Sequence, residues 1–112
     1  MSLQEMIEIS HVANYQLLES ESGSLHTNRG AAGTITISLP VNADMGIYYR
    51  FHVAANKVLR IGANGSIIRY ISGLCDSYIW ADAIGEYIML VSNGFGEWYP
   101  LGKDGVWTAV FL

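Results

Sequence analysis

Residues 28–53 read NRGAAGTITISLPVNADMGIYYRFHV, two runs of alternating residues on either side of a turn-rich joint. In the first run Ile35, Ile37 and Leu39 point one way and Thr34, Thr36 and Ser38 the other; in the second, Ile47, Tyr49, Phe51 and Val53 oppose Tyr48, Arg50 and His52. Successive side chains of an extended chain point to opposite faces, so a period of two predicts half-buried strands. Pro40 cannot donate to a ladder and ends the first strand, while Asn42, Asp44 and Gly46 fill the joint. The segment therefore predicts an antiparallel hairpin whose apolar face covers a core.

Working outward, the same pattern recurs. Upstream, residues 15–18 form a short strand, followed by the polar loop ESESGSLHTNRGAAG with tight turns at Gly23, Gly30 and Gly33. Downstream, residues 58–61 and 66–71 are joined through Asn64-Gly65, a strong hairpin signal because both central positions of such a turn need positive φ. Residues 78–80 make a further strand. The run EYIMLV at 86–91 is apolar on both faces, which places it mid-sheet with cover on each side. Asn93-Gly94 turns the chain into residues 97–101, and Lys103-Asp104-Gly105 turns it again into 107–112, where Trp107 and Phe111 share a face. No segment holds helical periodicity over three turns. About nine strands at intervals of about ten residues predict an all-β fold, an antiparallel β-sandwich or a small jelly-roll-like barrel.

The N-terminal segment stands apart. Ser2 and Glu5 have the spacing of a capping box ahead of Met6 and Ile7, while the alternation of Ile7 and Ile9 allows a strand instead. Residues 1–11 are read as an apolar arm, docked on another subunit or lying on its own domain, and residues 12–112 as a single β-domain. A chain of 112 residues supports one core, burying roughly two-thirds of its unfolded surface.

Composition narrows the function classes. Charged residues make up 14% of the chain against a usual value of about 25%, although 51% is apolar. Sixteen charges are few for the large relative surface of a small monomer, which implies that other subunits cover part of it. A net charge of −4 with six scattered Lys and Arg residues argues against nucleic acid, which needs a clustered basic face. The start MSLQEMIEISHV lacks the pattern of a signal peptide, and no run approaches the ~18 apolar residues of a membrane span, so no membrane partner is expected and synthesis is placed in a cytoplasm.

Catalytic constellations are not apparent. His11, His26 and His52 have no ligand spacing, and Asn42-Ala-Asp44-Met-Gly46 resembles the start of a calcium loop but lacks its closing glutamate, so neither metal nor cofactor is expected. No G-x-S-x-G elbow or phosphate loop is present, and Asp76, Asp82, Glu86 and Glu97 are spaced as solvated turn residues. Cys75, with Leu74 and Tyr78 nearby, reads as a buried structural thiol. The Asn64-Gly65-Ser66 sequon reads as a turn. The aromatic residues are the one set suited to recognition, since their flat amphipathic faces stack on sugars and anchor interfaces. Tyr70, Tyr78 and Trp80 are assigned to such a surface and the rest to packing.

Several elements occur in an order similar to a β-domain of tailed-bacteriophage virion proteins, among them tail fibres and head-decorating proteins. They are Glu21-Ser22-Gly23, residues 27–33 (TNRGAAG), Leu39-Pro40, residues 49–53 (YRFHV), Leu59-Arg60-Ile61, Met89-Leu90-Val91, Glu97-Trp98-Tyr99 and Gly105-Val106-Trp107. The resemblance covers roughly residues 15–107. It implies a non-enzymatic β-rich building block that works as a homotrimer and is located in the virion after synthesis in the host cytoplasm. Without a shaft or repeat region, the chain is expected to be a capsid decoration or cement protein clamping the major capsid protein or another virion protein. The alternative is a tail-fibre module that recognises a host glycan. For the first role the expected contact residues are Leu3, Met6, Ile7, Ile9, Phe111 and Leu112.

Overall fold

A computed structural model describes residues 7–70 and 73–111. The first six strands are β1 (Glu8–Ser10), β2 (Tyr15–Gln16), β3 (Leu25–Thr27), β4 (Ile35–Ser38), β5 (Tyr48–His52) and β6 (Leu59–Gly62). The remaining six are β7 (Ile67–Tyr70), β8 (Gly73–Cys75), β9 (Tyr78–Ala81), β10 (Tyr87–Ser92), β11 (Glu97–Asp104) and β12 (Thr108–Val110). A single 3-10 turn at Glu19–Glu21 is the only helical element among the described residues, so none is long or apolar enough to cross a membrane.

The chain is all-β, and its strands form two sheets, ordered β1-β3-β5-β10-β11-β7-β8 and β12-β9-β6-β4-β2. They pack face to face as a β-sandwich. The expected purely antiparallel, jelly-roll-like pairing is corrected to mixed sheets: β1–β3, β3–β5, β7–β11, β2–β4 and β4–β6 are parallel.

The alternation in residues 34–53 places its side chains as read. Ile35, Ile37, Leu39, Tyr49, Phe51 and Val53 are all at most 3% exposed, and the polar positions between them in β4 and β5 are half-buried. The pairing is different from the expected hairpin. β4 belongs to the five-stranded sheet and β5 to the seven-stranded one, so the joint arches across the core and the two apolar faces meet as opposite layers. A period of two specifies an inward face and is silent on whether the next strand lies beside or across. Asn64-Gly65 repeats the lesson. The turn forms, with φ of 53° and 83° and Ser66 N–H donating to Ala63 C=O at 3.0 Å, yet β6 and β7 lie in different sheets. Asn93-Gly94 does close an antiparallel hairpin, β10–β11, with the Asn93 side-chain oxygen accepting from Phe95 N–H at 2.8 Å.

β10 is the middle strand of its sheet, as expected. Its cover is one-sided: Ile88, Leu90 and Ser92 are buried, while Tyr87, Met89 and Val91 are half-buried. A sandwich has only two layers, so each sheet keeps one face toward solvent. Opposite the register shift between Met89 and Leu90, Leu101 bulges out and is exposed.

β3 falls within the segment whose composition reads as a polar loop, and β1 within the arm. β3 carries buried His26 and Thr27 where apolar residues would have signalled a strand. Residues 8–10 of the arm region form β1 on the edge of the chain's own sheet. Residues 1–6, with the Ser2–Glu5 capping box, lie outside the described residues.

The TNRGAAG element has a structural role. Asn28, fully buried, accepts from Ala54 and Ala55 N–H at 2.8 and 2.9 Å and donates to Ala55 and Lys57 C=O at 3.3 and 3.1 Å. One side-chain amide thus replaces the ladder partners missing from the β5–β6 loop.

Candidate functional site

The outward face of the five-stranded sheet is built by alternation. In β9, Ile79 and Ala81 enter the core, so Tyr78 and Trp80 stand on the opposite face, half-buried. In β6, Leu59 and Ile61 enter the core and Arg60 faces out. Antiparallel register puts Arg60 beside Trp80 and Gly62 beside Tyr78, while β12 adds Thr108 next to Trp80 and β4 adds Thr36 next to Arg60. With only a glycine opposite Tyr78, Arg60 reaches diagonally across the pair, and its Cζ lies 4.7 Å from the centre of the Tyr78 ring.

Val58, Arg60, Tyr78 and Trp80 line a shallow cleft of about 280 Å³ on this face. Among the described residues Arg60 makes no ion pair, and its Nε is sealed from solvent without a hydrogen-bond partner. Two other arginines differ in being paired: Arg29 holds Glu8 at 2.8 Å and Arg69 holds Glu97 at 2.8 Å. The cleft therefore presents a guanidinium held over the Tyr78 ring, with Trp80 beside it in register and no ion pair among the described residues.

Two residues expected on a recognition surface, Tyr78 and Trp80, are brought together there. Tyr70 is not, because β7 belongs to the other sheet. The residues expected at subunit contacts separate as well. Ile7 is exposed and Ile9 half-buried at the β1 edge, whereas exposed Phe111 follows β12. The β1 and β2 edges meet through His11 stacked on Tyr15 at 4.3 Å, and the β8 and β12 edges meet through the Cys75 thiol donating to Val110 C=O at 3.2 Å. Ile7 and Phe111 thus sit at opposite edges of the sandwich. Leu3, Met6 and Leu112 lie outside the described residues. Cys75 is buried, as its neighbours suggested.

Two features escaped the sequence reading. The first is a pair of apolar tips. At one end of β10, Val41 and Met45 of the β4–β5 joint accompany Phe95 of the β10–β11 turn, and Gly94 packs so closely that an added Cβ would lie 3.1 Å from that of Met45. At the other end, Ile84 and Val106 flank Glu86, which accepts from Val106 N–H at 2.7 Å. All five are exposed, Phe95 to 82%. An aromatic residue inside the turn NGFG was the available signal.

The second is a buried histidine pair. His11 Nε2 lies 2.9 Å from His26 Nδ1, and the rings stack at 5.2 Å between centroids. Desolvation, aided by the neighbouring His11, pushes the pKa of His26 down to about 4, with Glu21 opposing weakly. His11 is also lowered by desolvation, again against Glu21. Fifteen residues separate the two histidines, and no spacing rule links a loop end to a strand in the parallel neighbour. Among the described residues no group of three or more His, Cys, Asp or Glu side chains is placed to hold a metal ion.

No protein-family model and no curated protein matches this chain.

Proposed function

We propose that this chain is a structural virion protein, a decoration or cement subunit that assembles as a trimer and clamps neighbouring capsid proteins by burying apolar surface. The observation that supports this reading best is the pair of apolar tips. Val41, Met45 and Phe95 at one end, and Ile84 and Val106 at the other, are large apolar side chains left exposed. Full burial of a large apolar side chain contributes about 1.5–3 kcal/mol, so such residues gain their favourable environment only in an assembly. Their placement at both ends of β10 suits a subunit that bridges two neighbours. The low charge count points the same way.

The test is the solution mass of the purified chain followed by co-sedimentation with decoration-depleted phage capsids. A trimer that rebinds the shells supports the proposal; a monomer that stays in the supernatant removes it. Deleting residues 1–6 rather than 1–9 tests the arm without removing β1.

A second reading, glycan recognition by a fibre-type module, is favoured by one observation, the Arg60–Tyr78–Trp80 cleft. Loss of sugar binding in Trp80→Ala tests it.

A further inference from the structure

We propose that the cleft on the five-stranded sheet binds an acidic sugar, a pyranose ring that carries a carboxylate. This rests on the glycan reading of the same cleft and names its ligand class. Arg60 is the deciding residue. Its guanidinium is held over the Tyr78 ring at 4.7 Å, makes no ion pair among the described residues, and has its Nε closed off without a partner. Orientation is therefore set before any ligand arrives, and the Nη groups are left to receive an anion. A carboxylate accepting from both Nη groups matches the planar fork and neutralises the charge.

The surroundings select the remainder of the ligand. The ring of Trp80 stands beside Arg60 in register and offers an apolar face to the C–H side of a pyranose. Thr36 and Thr108 lie next to Arg60 and Trp80 on the flanking strands, within the same outward rows, and supply hydroxyls for sugar hydroxyl groups. The cleft, about 280 Å³, is below the 300–1,000 Å³ range of pockets for drug-sized ligands and suits one ring. A peptide strand is disfavoured, because strand addition needs a free sheet edge and β6 is already paired on both sides by β4 and β9. Nucleic acid is disfavoured by a net charge of −4.

The experiment titrates the whole chain with methyl β-D-glucuronide, methyl β-D-glucoside, acetate and inorganic phosphate, read by amide chemical shifts and tryptophan fluorescence. The glucuronide is expected to bind at least tenfold more tightly than the glucoside, with shifts centred on residues 58–62 and 78–81, and to weaken with added salt. Arg60→Gln is expected to abolish the preference and Trp80→Ala to abolish binding of both sugars, with the chemical-shift pattern elsewhere confirming that each variant is folded. Equal binding of the two sugars, lost in Trp80→Ala, would overturn the acidic preference and leave the glycan reading standing. Absence of binding by either sugar would overturn both. Phosphate or acetate binding as tightly as the glucuronide, or glucuronide affinity unchanged in Arg60→Gln, would also overturn the proposal.

Discussion

His11 Nε2 and His26 Nδ1 are hydrogen-bonded across 2.9 Å inside the sandwich, where β1 and β2 bring the edges of the two sheets together. Such an N–H···N bond exists only while one of the two nitrogens is unprotonated. Tyr15 stacks on His11, Tyr49 and Phe51 contact His26, and Glu21 is the acidic group that acts on both rings. Glu21 itself accepts from the Tyr15 hydroxyl at 2.6 Å, so its charge is already engaged.

The pair makes stability pH-dependent with a definite sign. The folded pKa of His26, about 4, lies below its ordinary value of 6.5, so the unfolded chain binds more protons in between. Stability is fully present above pH 6.5 and declines as the pH falls toward 4, by about 2–3 kcal/mol. Urea denaturation at closely spaced pH values measures this. His26→Leu reduces the slope in that window, with His11 supplying the remainder, and an unchanged slope would show that His26 is not its source.

Asn28 carries the most concentrated set of side-chain hydrogen bonds to the backbone. Asn28→Asp keeps the acceptor facing Ala54 and Ala55 N–H but deletes the donors to Ala55 and Lys57 C=O. Leaving those carbonyls opposite a buried carboxylate is expected to cost about 2–4 kcal/mol, read as a lower denaturation midpoint with an unchanged slope.

Glu86 ties together the loops at one end of β10. Burial raises its pKa, but the amides of Val106, Ala83 and Asp82 together outweigh this and hold the carboxyl below its ordinary value. Glu86→Ala is expected to lower stability at pH 7 by about 1–2 kcal/mol. Gly105→Ala is expected to do the same by another route: Gly105 has a φ of +84°, and an added Cβ would overlap the Glu86 side chain. Thermal unfolding of both variants and of the pair measures the coupling, and the two losses should fail to add.

The apolar tips separate assembly from folding. Phe95→Ser and Met45→Ser remove side chains that are 82% and 72% exposed, so unfolding of the isolated chain should change by less than about 0.5 kcal/mol. Self-association and shell binding should fall in the same variants, measured by light scattering and co-sedimentation. Equal association in wild type and the double variant would show that the tips are not contacts.

The cleft of Arg60, Tyr78 and Trp80 was partly legible in the sequence. Tyr78 and Trp80 alternate with core residues within one strand, and that alternation is local information. Arg60 carries no local signal, because its value comes from its cross-strand neighbours in β9. Tyr70 is an amphipathic aromatic like Tyr78 and Trp80, but the crossing from β6 to β7 places its strand in the other sheet.

What this sequence determines by itself is which way each residue faces. Ile35, Ile37, Tyr49 and Phe51 are buried because a strand's side chains alternate whatever it pairs with. The turns at Asn64-Gly65 and Asn93-Gly94 form for equally local reasons, since Asn64, Gly65 and Gly94 adopt positive φ and the Asn93 side chain accepts from Phe95 N–H. Partnership is decided only by the tertiary structure. The strands of residues 28–53 serve opposite layers instead of one hairpin, and His11 meets His26 across parallel strands, because closing a two-layer core requires edges and faces to be matched over distances that no local pattern encodes.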